Sequence, residues 1–310
     1  MHGGNSQSVA REERADESRN KFPDFAADKQ DVRDAVEALL TRGFLAYAET
    51  EVREAAQYSV LGSGHRWRPI IVVAAGRIFR PDSLDVALAT ACAVELAHAA
   101  SLVLDDLPSM DDAELRRGKP CTHHAFPQWA VDMVPVFLVN MAYDLGLSNP
   151  HASTDRRVRA NVAFSRAGLD MIAGQVADVR QDAAQDEEAR LLLLFTLKSG
   201  ALYGTAGRAG AILCGATEAE DETIYQACVD IGLSMQFLDD VADVTADVPE
   251  VGKRSGMDAA KRTAVDLLGV DGARRRSIDF QDSALAKLEG FGPEADWLRS
   301  LACEVSWKAF

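Results

Sequence analysis

The sequence predicts an all-α fold, and three observations predict it. Apolar residues recur at three- and four-residue spacing through nearly every segment after about residue 30, the signature of one face of a helix. No apolar–polar alternation persists beyond a few residues, so strands are unsupported. A chain of 310 residues with 47% hydrophobic content has enough apolar material for one large core or two modest ones.

Residues 1–28 are polar, charged and aperiodic, and read as a disordered or loosely docked arm ahead of a folded domain at 29–310. Order is expected from near Asp31, where Val32, Val36, Leu39, Leu40, Phe44 and Leu45 fall at helical spacing over one helix or two. A Gly-Ser-Gly break then precedes a basic knot of His65, Arg66 and Arg68 that opens a new apolar helix. The alternative for that knot is an ordinary loop with helix-start arginines. Ser83 to Asp106 forms a long small-residue helix and Trp129 to Leu147 another apolar one, ended by the break SNPHAST.

Asp155 to about Asp182 reads as a long helix in which Gln175 and Asp178, three apart among apolar neighbours, point together at something polar. A buried pair between helices and a substrate contact both satisfy that pattern. In LLLLFTLKSGALYGTAGRAGAIL, Lys198 and Ser199 interrupt a greasy helix. A lone mid-helix lysine ordinarily snorkels to solvent; beside acidic clusters it can meet phosphate instead. The acidic helix MQFLDDVADV follows, then a Gly- and Pro-containing loop carrying Lys253 and Arg254, then a helix opened by Lys261 and Arg262. The amphipathic tail through Trp297 and Trp307 is expected on the outside.

A formal charge of −15 argues against nucleic acid, whose phosphates reward a basic stripe. No stretch reaches ~18 uncharged apolar residues, so no transmembrane segment is expected. The first residues carry no apolar leader, which makes the cytoplasm the expected location. Five scattered cysteines without CxxC spacing fit reduced thiols rather than zinc ligands or a disulfide framework. A strand before a Gly-rich turn, a GxSxG elbow, a catalytic-cysteine signature and Glu-x-x-His pairs are all missing.

The chemistry concentrates in two places. From Val94 to Phe126 an apolar run ends in Asp105, Asp106, Asp111 and Asp112, followed at once by Arg116, Arg117 and Lys119. More than a hundred residues later, Asp239, Asp240 and Asp243 fall within one helical turn. Carboxylates packed this tightly repel one another unless a cation sits among them. All-oxygen donors with no His or Cys at ligand spacing favour magnesium, which binds through one or two carboxylates plus a substrate's phosphates. Two acid walls, several cations able to meet phosphate and an apolar interior call for a substrate with a charged head and a greasy tail.

An isoprenoid diphosphate is such a molecule, and over roughly residues 32–270 the chain resembles the trans-polyprenyl diphosphate synthase family. DDLPSMD is similar to its first aspartate-rich motif and DDVAD to its second, with GHRWRP, LRRGKPCTHH, GQVAD and KSG as further landmarks in the right order. The resemblance is greatest to bacterial carotenoid-pathway geranylgeranyl diphosphate synthases. It implies a single-domain helical bundle around a central deep apolar cavity, and a homodimer. It also implies that Asp105, Asp106, Asp111, Asp239, Asp240 and Asp243 hold three magnesium ions on the allylic diphosphate.

Arg116, Lys198 and Lys253 would meet that diphosphate, with Ser199, Gln175 and Gln236 orienting the substrate. Isopentenyl diphosphate would be held by His65, Arg66, His98 and Arg117. His65 stands where the family has lysine, and Met257 where many members carry a second lysine that Lys261 could replace. A class I terpene cyclase shares the fold, but retention of Arg66, Arg68, His98 and Arg117 argues against it. A non-catalytic subunit of a heteromeric synthase would have lost aspartates that are intact here.

Product length is expected from the residues before Asp105. Ser101 and Ala100 lie one helical turn deeper, ~5.4 Å, which is comparable to one isoprene unit. Related fifteen-carbon synthases carry an aromatic at the Ala100 position; here it is a methyl, with Ala97 a further turn down. The expected product is therefore geranylgeranyl diphosphate from a farnesyl primer, with Phe137 or Met141 as the floor. The small residues from Ala87 to Ala100 could serve either that pocket or a dimer contact.

Overall fold

Residues 22–62, 64–180, 186–245 and 263–307 are described by a computed structural model. Twelve α-helices run through them: α1 (Ala26–Leu45), α2 (Glu51–Val60), α3 (Trp67–Arg77), α4 (Ser83–Asp105), α5 (Thr122–Ala125), α6 (Gln128–Leu147), α7 (Thr154–Arg180), α8 (Glu187–Phe195), α9 (Ala201–Cys214), α10 (Glu218–Thr245), α11 (Ala264–Leu288) and α12 (Asp296–Trp307). The expected all-α fold is what the described residues form.

Helix α1 buries Val32, Val36, Leu40 and Phe44, a stripe at four-residue spacing. It starts at Ala26, ahead of the expected onset and inside the stretch read as an arm. Contacts distant in sequence fix that start: Asp28 pairs with Arg77, Lys29 with Glu304, and the Phe25 ring stacks on Trp297 at 5.9 Å. Periodicity carries no trace of them.

Helix α4 is the interior element. It buries Thr90 to Leu96 without interruption and packs on α1, α3, α6 and α9, so the small residues of that stretch serve close packing within the chain. Helix α9 is buried almost throughout. At Gly210 a Cβ would stand 1.9 Å from the Val72 carbonyl oxygen, so α9 meets the α3 backbone where only glycine fits. A second apolar cluster ties α8, α10 and α11 through Phe195, Phe237 and Phe280, with centroids 5.3 and 5.7 Å apart along the row.

Three local features depart from expectation. Trp297, Leu298, Leu301 and Ala302 of α12 are core residues rather than an outer covering, because α3, α10 and α11 close over their face. Between α8 and α9 the helix widens into a five-residue π turn, Thr196–Gly200. After α4 the chain makes a two-stranded ribbon, β1 (Leu115–Arg116) against β2 (Lys119–Pro120), with Arg117 and Gly118 at its tip. Both tip residues have positive φ, 54° and 76°, as a tight hairpin of this hand requires.

Helices α4 and α6 do reach the length and mean hydropathy of membrane-spanning segments. For α4 the reason is its place in the core, where 67% of that window is buried.

Candidate active site

One cavity of about 930 Å³ opens between α3, α4, α6, α7, the π turn and α10. Its two ends differ in chemistry. Asp105 and Asp111 line one side of the mouth, Asp239, Asp240 and Asp243 from α10 line it too, and Ala97, Ala100, Ser101, Tyr143 and Leu169 line the apolar interior. The two acidic stretches, separated by more than a hundred residues of sequence, therefore meet at one opening.

Lys198 sits among these acids because the backbone lets it in. At Gly174 a Cβ would stand 2.7 Å from the Lys198 amide nitrogen, so α7 and the π turn touch main chain to main chain. From there Lys198 Nζ donates to Asp178 at 2.7 Å and lies 3.8 Å from Asp105. The expected pairing of Gln175 with Asp178 thus resolves into an ion pair between helices that also lines the cavity. A single π turn is a common way of re-aiming a functional side chain, and here it gives one amine two carboxylate neighbours.

The rest of the mouth is hydrogen-bonded in a chain. Ser199 Oγ donates to Gln236 Oε1 at 2.7 Å, and Asp240 accepts from Gln236 Nε2 at 3.4 Å and from the Ala264 backbone N–H at 2.7 Å. Gln175 keeps a buried Oε1 without a partner among the described residues, and it lines the same cavity. Lys253, Met257 and Lys261 lie outside the described residues.

Two of the expected site residues are engaged by protein partners. Asp106 is buried and does not line the large cavity; Arg116 Nε donates to its two oxygens at 3.1 and 3.2 Å. One helical position past Asp105 is enough to turn a carboxylate away. Arg66 lines the cavity, and its guanidinium is engaged by structural partners. Its guanidinium, 3% exposed, meets Glu95 at 2.5 Å and Glu37 at 2.9 Å and donates to the Val60 carbonyl at 2.8 Å. Burial opposes the charge on Arg66, but Glu95 and then Glu37 hold its pKa above the ordinary value.

A cation noted in the sequence but given no contact there is Arg68. It lines the cavity, lies 4.4 Å over the Tyr203 ring, and among the described residues has no carboxylate in ion-pair range. Tyr203 is buried, which pushes its hydroxyl up to about 12, and it donates to Met235 Sδ at 2.6 Å. His65, His98, Arg116 and Arg117 line the cavity with Arg68. Burial, then Arg68, Arg117, Arg116 and Arg66, push His98 well below the usual histidine range, so its imidazole is neutral at pH 7. Arg117 is held below its ordinary value by partial burial and by Arg66, Arg116 and Arg68, against the pull of Glu95. Such a crowd of guanidinium groups is a site built for an anion.

The apolar end places the expected residues unevenly. Ala97, Ala100 and Ser101 line the cavity as expected, but Phe137 and Met141 do not. Phe137 stacks on Phe44 and packs edge-on to Tyr47, and Met141 is buried in the main core. The residues that α6 turns toward the cavity are Pro135, Val139 and Tyr143, with the Tyr143 ring edge-on to Phe164 at 5.4 Å.

Among the described residues, no three acidic, histidine or cysteine side chains converge closely enough to hold an ion by themselves. The acids instead face one opening in ones and twos, the arrangement a magnesium ion uses when substrate oxygens complete its shell.

A polyprenyl synthetase family model matches residues 49–271. The geranylgeranyl diphosphate synthase of Pseudescherichia vulneris is 35% identical, covering 79% of this chain and 80% of its own. Geranylgeranyl pyrophosphate synthase 11, chloroplastic, of Arabidopsis thaliana is 34% identical, covering 88% and 79%. Among solved structures, an FPP/GFPP synthase from Zymomonas mobilis superposes with a TM-score of 0.78 at 30% identity, over 89% of this chain and 96% of that one. A geranyltransferase from Helicobacter pylori complexed with magnesium and isoprenyl diphosphate gives 0.78 at 26% identity, over 89% and 95%.

Proposed function

The chain belongs to the polyprenyl synthetase family as a trans-prenyltransferase, and from that premise we propose that it condenses isopentenyl diphosphate with an allylic diphosphate, head to tail, giving mainly geranylgeranyl diphosphate. The observation that carries this reading is the single cavity with both acidic stretches at its mouth, cations beside them and an apolar interior below.

Asp105, Asp111 and Asp239, with Asp240 and Asp243, are the residues that would hold magnesium, three ions in this reading. Bound magnesium would neutralise charge growing on the departing diphosphate. Lys198 contributes to the same end, held by Asp178 beside Asp105, and Arg116 and Lys253 belong to the same diphosphate. Ser199, Gln175 and Gln236 orient the allylic carbon. Arg66, Arg117, His65 and His98 hold the second diphosphate, joined by Arg68 at the same edge of the cavity. The allylic C1–O bond breaks with its electron pair leaving on diphosphate; the isopentenyl double bond attacks C1 through C4, and the released diphosphate takes the proton from C2. The apolar walls keep water from the cation.

Four isoprene units suit the cavity's depth. Asp178 at the mouth and Ser165 far along α7 both line it, and thirteen residues of helix span about 20 Å at roughly 1.5 Å per residue. Tyr143 is the floor in this reading.

The chain also works as a homodimer. Trp129, Met133 and Val136 of α6 and Val158 and Val162 of α7 expose an apolar face on two adjacent helices. A monomer in sedimentation at micromolar concentration would overturn that.

Incubation with farnesyl diphosphate and magnesium, with and without isopentenyl diphosphate, tests the reaction itself. Product is expected only when both substrates are present. Hydrocarbon released without isopentenyl diphosphate would instead make the chain a cyclase.

A further inference from the structure

We propose that Gly168 of α7 is a determinant of product length, because its missing side chain leaves room for the fourth isoprene unit. The proposal deepens the condensation reading above and rests on it. Nothing in the fold calls for glycine at this position. Gly168 lies inside a helix, outside the left-handed region, and a Cβ built there meets nothing beyond its own turn of helix within 4 Å. Gly174 is the contrast, since a Cβ there would stand 2.7 Å from the Lys198 amide nitrogen. Glycine inside a helix is destabilising relative to alanine. At Gly168 neither a turn nor a close approach of another backbone accounts for that cost.

Register shows where the empty space lies. Gly168 lines the large cavity together with Ile172 and Gln175 of the same helix. Seven residues make nearly two whole turns, so a Cβ at Gly168 points the way the Gln175 side chain does, about 10 Å further down. From Asp178 at the mouth to Gly168 the helix runs about 15 Å, at roughly 1.5 Å per residue. One isoprene unit is comparable to one turn, ~5.4 Å, so this is the depth at which a third unit ends and a fourth begins. Ala97 and Ala100 keep the α4 side of the pocket open with methyl groups, and Gly168 keeps the α7 side open with none. A leucine in its place would put a branched side chain where the fourth unit must go.

The test compares wild type with Gly168→Ala, Gly168→Leu and Ala173→Leu, the last at an exposed position of α7 outside the cavity. Each is assayed with isopentenyl diphosphate and magnesium from a geranyl and from a farnesyl diphosphate primer, with products resolved by length and melting temperatures recorded. In Gly168→Leu the ratio of farnesyl-primed to geranyl-primed turnover is expected to fall at least about tenfold, the scale on which an apolar pocket rejects one excess methylene group. Its main product should become fifteen carbons. Gly168→Ala is expected to melt above wild type, because its methyl enters open space; a lower melting temperature would mean that the position is packed and would overturn the proposal. Ala173→Leu is expected to keep the wild-type ratio, and an equal fall there would assign the effect to α7 as a whole and overturn the proposal. If Gly168→Leu keeps the wild-type ratio or fails to fold, the proposal is wrong while the condensation reading stands. If wild type forms no product from either primer, both fall.

Discussion

The mouth of the cavity and its apolar end share α4 and α7, yet they answer to different physics. At the mouth, charges must converge within a few ångströms, and they come from short contiguous stretches: Asp105 to Asp111, Asp239 to Asp243, and Lys198 with Ser199. At the floor nothing is charged, and the outcome depends on which side of α6 faces inward. Chemistry should therefore respond to single charges at the mouth, and product length to single volumes at the floor, each largely independent of the other.

The sharpest way to break that separation is at the mouth. Asp105→Ala and Asp239→Ala are each expected to lower turnover about a thousandfold while leaving product length unchanged. With magnesium absent their melting temperatures should hold or rise, since one of several mutually repelling acids is gone. Near-normal turnover in either variant at saturating magnesium would remove these acids from the metal site.

The two arginines of one motif give the next contrast. Arg66→Ala leaves Glu95 buried without its partner and is expected to cost about 3–5 kcal/mol in a denaturant titration. Arg68→Ala should leave the unfolding midpoint nearly in place and raise KM for isopentenyl diphosphate at least tenfold. An Arg66→Ala protein of full stability, with the KM defect instead, would reverse the two roles.

At the floor the effects are smaller and concern length. Ala100→Phe is expected to shift the main product to fifteen carbons, and Tyr143→Ala to extend it beyond twenty at about 1–3 kcal/mol of stability. Phe137→Ala should leave the distribution alone, because that ring packs on Phe44 and Tyr47. Chromatography of the dephosphorylated products separates these outcomes.

What was legible in the sequence follows the same division. The acids could be read because they are contiguous and have no bland explanation beside an apolar run. Asp106 could not be placed, since a turn just after α4 aims adjacent carboxylates apart. Lys198 was found by its oddity, but its reach depends on a π turn that residue spacing does not reveal. Helix α6 hid the proposed floor because its one polar stripe, Gln128, Asp132, Asn140 and Asp144, marks only the outward side: Val134, Leu138 and Met141 face the core, while Val139 and Tyr143 face the cavity. A polar stripe says which side meets water but does not separate core from cavity on the apolar remainder. The tail was misjudged for a related reason, since the amphipathic stripe of α12 says that one face is covered but not how deeply.

The most direct measurement is the product formed by the wild-type chain from farnesyl diphosphate, isopentenyl diphosphate and magnesium, resolved by length. A cavity lined by α7 from Asp178 to Ser165, about 20 Å of helix, and closed by Tyr143 as proposed, is expected to yield twenty carbons as the dominant product. A product that stops at fifteen, or one that runs past twenty-five in the unaltered protein, would contradict it.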